Sequence, residues 1–100
     1  MSRAANPARG EASVAGIMLR PSFAALVAAE EELEPLFALV ERAAAGQLKL
    51  SEMTALLWHC RFDAPVDLSR EAFSEAVAVG GLAAATPALK ALLGQILGGR

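Results

Sequence analysis

The stretch Leu19 to Leu48, LRPSFAALVAAEEELEPLFALVERAAAGQL, constrains the fold more than any other part of the chain. Arg20-Pro21 disfavours helical geometry at Arg20, because the proline ring crowds the residue before it. Ser22 can then accept from the free N–H groups of a first helical turn. Beyond it Phe23, Leu26 and Val27 fall on one stripe, with Leu33 near its far end, the spacing of a half-buried helix. Glu30, Glu31, Glu32 and Glu34 crowd the C-terminal end, where negative charge opposes the helix dipole. Pro35 fits the first position of a second helix, where its missing N–H costs nothing. Leu36, Leu39, Val40 and Ala43 form that helix's apolar face, and Gly46 can close it in a left-handed conformation.

The rest of the chain repeats this grammar. Met1 to Arg9 is small, polar and mildly basic, and reads with Gly10 as a disordered arm (1–10). Residues 11–19 alternate weakly, and a two-residue turn at Ala15-Gly16 can join two short strands into a hairpin. Such a hairpin needs Val14, Ile17 and Leu19 laid against helices; the sequence leaves it open. After the connector Gly46 to Leu50, Ser51 is the cap candidate and Glu52 suits a first turn. Met53, Leu56, Leu57 and Cys60 then define the buried face of a helix expected to end near Phe62. Asp63-Ala64-Pro65 stops it. Ser69 caps the next helix, with Phe73, Ala76 and Val77 as its stripe and Gly80-Gly81 at its end. Thr86-Pro87 marks the start, or a kink in the first turns, of a last helix whose face is Leu89, Leu92, Leu93 and Ile96, with Leu97 beside it. The expected architecture is mainly α: a small single-domain bundle of four to five helices over residues 11–97, with an optional N-terminal β-hairpin and a frayed tail at 98–100.

Composition sharpens this picture. Hydrophobic residues make up 55% of the 100-residue chain but aromatics only 5%, and alanine supplies much of the apolar count. Slender helices around Leu, Val, Ile and Phe follow, since each alanine buries little area. A net charge of −2 with scattered basic residues argues against a nucleic-acid footprint. One cysteine excludes an internal disulfide and fits a reducing compartment. The N-terminus lacks an apolar signal core, and no apolar run approaches the roughly 20 residues of a spanning helix. The expected location is the cytoplasm, without membrane association.

No residue pattern points to catalysis, a metal or a cofactor. A zinc site needs about four ligands, and the chain has one His and one Cys. His59 and Cys60 are adjacent, and on a helix they do not face each other; a core-facing thiol beside a surface imidazole is the simpler reading. The run of glutamates reads as a solvated face, against a basic-partner or metal surface. Glu30 is the exception: it lies on the Phe23–Leu26–Val27 side, and either reaches water or pairs with a base such as Arg42. Trp58, off the stripe of Leu56, Leu57 and Cys60, is either a partner-binding anchor or part of a second buried face. Phe62, one turn onward, would extend either surface. Trp58 and Phe62 are therefore the candidate partner-binding residues.

A longer pattern covers nearly all the chain after the arm. It runs from Gly10-Glu11 through Leu19-Arg20-Pro21-Ser22-Phe23-Ala24-Ala25-Leu26 and Glu30, then Gly46-Gln47-Leu48, Ser51–Leu57, Glu75–Ala78, Gly80-Gly81-Leu82 and Leu89–Leu97. In order and spacing it resembles the small tail-cluster protein of gene transfer agents, phage-like particles encoded in bacterial chromosomes. The resemblance implies a non-catalytic role in tail morphogenesis, as a tail tube-associated protein or a tail assembly chaperone. A chaperone of that kind would shield the apolar helices of the tape-measure protein before tail tube subunits polymerise. The alternatives are a structural subunit that self-associates into the particle and an unrelated cytosolic helical interaction domain. Two departures stand out: the 11–19 segment is shorter than the family's hairpin, and Pro87 interrupts what the resemblance makes a continuous last helix.

Overall fold

A computed structural model describes residues 12–98; the expected arm at 1–10 and the last two residues of the tail lie outside them. Two three-residue strands, β1 (Ala12–Val14) and β2 (Ile17–Leu19), open the fold. They pair antiparallel, Ala12 with Leu19 and Val14 with Ile17. The turn between them puts Ala15 at φ 52° and Gly16 at φ 78°. Two positive φ values make a type I′ turn, whose twist matches that of the flanking strands. So the hairpin forms despite its brevity. Ala12, Val14 and Leu19 are buried, and the last helix lies across β1, which supplies the packing that an isolated hairpin lacks.

Helix α1 (Phe23–Glu32) starts where expected: Ser22 Oγ accepts from the Ala25 N–H at 3.2 Å. Its buried residue, however, is Ala29, and Phe23 is 84% exposed. The helix is rotated so that alanine, which permits close approach, faces the core. Phe23 stays outside. Pro35 takes the N-cap position of α2 (Leu36–Ala44), one place earlier than expected. It has no side-chain cap, and Glu30 Oε2 reaches across from α1 to accept the Leu36 N–H at 3.0 Å. Gly46 closes α2 at φ 73°.

Helix α3 (Leu50–His59) is the centre of the molecule. Met53, Thr54, Ala55, Leu56 and Leu57 are buried consecutively, so the helix is covered on several sides rather than along one stripe. Helices α1 and α4 (Arg70–Val79) both pack on it. Its start differs from expectation: Ser51 lies within the helix, and Glu52 accepts the Lys49 N–H at 2.9 Å. Its end differs too. The expected helix to Phe62 stops at His59, because the Cys60 carbonyl accepts the Arg20 N–H at 2.7 Å. Arg61–Phe62 then forms β3, which pairs with β2 and completes a sheet of order β1-β2-β3.

Ser69 caps α4 by accepting the Ala72 N–H at 3.0 Å. Phe73 and Val77 are buried as expected, whereas Ala76 is exposed. The final helix, α5 (Leu82–Gly98), runs unbroken through Pro87 and includes Gly98, first residue of the expected tail. Proline at that position removes the partner of the Ala83 carbonyl; Ala83 and Ala84 are exposed, so water can satisfy it. Helix α5 buries Ala85, Ala88 and Leu92 and presents Leu89, Leu93 and Ile96 to the core's edge. No single helix among the described residues is long and apolar enough to cross a membrane.

Candidate functional site

An open apolar groove lies between α1, α2 and α5. Leu26, Leu36, Phe37, Val40, Ile96 and Leu97 line its volume of about 230 Å³. Phe37 is 78% exposed and Leu97 61%. Phe23, one turn before Leu26 and on the same side of α1, extends the apolar surface along that helix. Solvent-facing phenylalanines on two neighbouring helices are unusual in a chain with four in total, and contiguous exposed apolar surface marks contact sites.

The two residues singled out from sequence lie on another part of the molecule. Trp58 is half-buried and packs against Phe73, ring centroids 5.7 Å apart. The Arg61 guanidinium also lies over the Trp58 ring, 3.4 Å from its centroid. Phe62 does not continue a helical surface from Trp58, since the helix has already ended; it is on β3, 38% exposed, with Arg20 stacked over it at 3.8 Å.

The glutamate run is mostly engaged rather than solvated. Glu32 takes both guanidinium nitrogens of Arg70, with Nη1 at 2.9 Å, and also accepts from His59 Nε2 at 2.7 Å. Arg70 first, then His59, hold its carboxyl down to about 2. Arg42 does not pair with Glu30. It bridges Glu34, through Nε at 2.7 Å, and Glu52, through Nη1 at 2.9 Å. Hydrogen bonds from Arg42, then from the Lys49 backbone, lower Glu52 to about 2. These pairs tie α1 to α3 and α4, and α2 to α3. Long-range clamps of this kind have no sequence signature, because the partners lie up to 38 residues apart.

Cys60 is fully buried, and desolvation pushes its thiol up to about 12, so it stays protonated and packs as a small apolar group. Among the described residues no three His, Cys, Asp or Glu side chains come together as a metal site.

Fold and surface together define a small helical protein whose distinctive feature is a solvent-facing apolar groove, suited to contact with other proteins. The comparison with protein families makes this specific. The family model described as "Phage tail tube protein, GTA-gp10" matches residues 14–99, and the chain belongs to that family: it is a phage-like tail protein of the gene transfer agent type. No curated protein and no solved structure matches the chain. The family is structural in character, and tail proteins, or further copies of the chain, are the class of partner it implies.

Proposed function

We propose that this protein is a tail assembly factor that shelters an apolar helix of the tape-measure protein in the groove between α1, α2 and α5, in the cytoplasm, before the tube forms. The observation that carries this reading is the groove itself, with Phe37 and Leu97 facing solvent at its mouth. Complete burial of a phenylalanine or leucine side chain is worth roughly 1.5–3 kcal/mol. Phe23, Phe37 and Leu97 thus offer a partner helix several such contacts that the isolated protein forgoes. The sheet is a poor alternative contact, with strands of three, three and two residues, too short for a long added strand. A second reading, a subunit built into the tube, draws on the family's description as a tail tube protein.

Co-expression with the tape-measure protein of the same gene cluster tests the two. The first reading expects a soluble complex and a tape-measure protein that aggregates alone. The second expects rings or tubes of this chain by sedimentation at rising concentration, and a strict monomer would remove it.

A further inference from the structure

Arg20 and Arg61 differ from the other structurally engaged arginines. Arg42 and Arg70 are each taken up by glutamates. Arg20 and Arg61 instead lie flat on aromatic rings, over Phe62 and Trp58, and neither has a carboxylate partner among the described residues. A stacked guanidinium is held in place while the N–H donors along its edge stay available. Arg61 uses one of them on the Trp58 carbonyl, at 2.7 Å. Both side chains belong to exposed residues.

The sheet register sets their arrangement. Met18 is opposite Phe62, and Leu19 opposite Arg61. Because side chains alternate along a strand, Met18, Arg20 and Phe62 share one face of the ribbon, and Arg61 belongs to the other. β3 is one of the two edge strands of the sheet. One stacked arginine therefore stands on each side of that edge.

We infer that the edge of β3 receives a short, extended acidic segment of a partner protein, whose neighbouring carboxylates go alternately to Arg20 and Arg61. An extended segment sends consecutive side chains to opposite sides, which matches the two arginines. Each carboxylate can take a forked, charge-assisted pair of hydrogen bonds. Nucleic acid fits worse: its backbone is charged at every step, whereas two arginines on opposite faces of the ribbon can meet only two isolated charges.

The test uses a short threonine-rich peptide with two adjacent glutamates, its twin with glutamines, and an oligothymidylate, titrated by calorimetry at low salt. Emission from Trp58, the single tryptophan, reports binding at Arg61. The acidic peptide is expected to bind saturably and the glutamine twin at least tenfold more weakly. Arg20→Gln, whose circular dichroism shows it folded, should lose about tenfold, in line with the loss of one charge-assisted contact. Phe37→Glu, in the groove, should bind the acidic peptide as the wild type does. No binding of the acidic peptide, equal binding of the twin, unchanged affinity in folded Arg20→Gln, or equally tight oligothymidylate would each overturn the inference. None of these outcomes bears on the groove.

Discussion

Helix α3 and the groove between α1, α2 and α5 use the same apolar residue types to opposite ends. On α3, Leu56 and Leu57 are 1% and 0% exposed, and Phe73 of α4 packs beside them at 1%. Around the groove, Phe23 and Phe37 are almost bare. A chain this small has little apolar surface to leave uncovered, so the contrast separates residues that hold the fold from residues that await something else. It also shows why α1 turns Ala29 inward. A small residue lets α1 approach α3 closely, and the large one is left for the outer surface.

Substitutions can break this contrast in order of size. Leu57→Ala removes a fully buried side chain from the central helix and should cost about 3 kcal/mol, visible as a marked fall in denaturant midpoint. A cost below about 1 kcal/mol would mean that α3 is not the packing centre. Ser69→Ala removes the cap of α4 and should cost about 1 kcal/mol by the same measurement. The ion pairs between the helices come last and show as a pH effect. Glu32 is depressed from 4.5 to about 2 in the folded protein. A lowered carboxyl gives stability that is present above its ordinary value and lost as pH falls through the folded one. Melting temperature should therefore drop between pH 4.5 and about 2, and Glu32→Gln should shallow that drop. The effect is small because the pair is well exposed to solvent screening.

Much of the fold is legible in local sequence. Ser22 and Ser69 mark their helices, Met53, Leu56, Leu57 and Cys60 are buried as their spacing implies, and Gly46 takes its left-handed turn. These features depend on residues within a turn or two of each other. What escapes is set at long range. β3 exists because Arg20 captures the Cys60 carbonyl, a contact across 40 positions; nothing in Arg61-Phe62 alone announces a strand. Helical spacing groups Phe23 with Leu26 and Val27 but does not say which side of α1 meets α3. The glutamates look solvated until Arg42 and Arg70 are brought to them. The groove is hidden for the same reason, since its walls come from three helices: Leu26, Leu36, Val40 and Ile96 each read as part of their own helix's apolar face, and Phe37 falls on none. Trp58 and Phe62 stand out by residue type, yet the arginines stacked on them become apparent only once β2 and β3 are paired.

Under the proposed function, the bare side of the contrast docks an apolar helix of the tape-measure protein. Calorimetric titration of a soluble tape-measure fragment into wild type and Phe37→Glu tests it most directly. Phe37 is 78% exposed, so the variant should keep its unfolding free energy within about 0.5 kcal/mol of wild type while losing at least tenfold in affinity. Equal affinity for the fragment in a folded Phe37→Glu protein would contradict it.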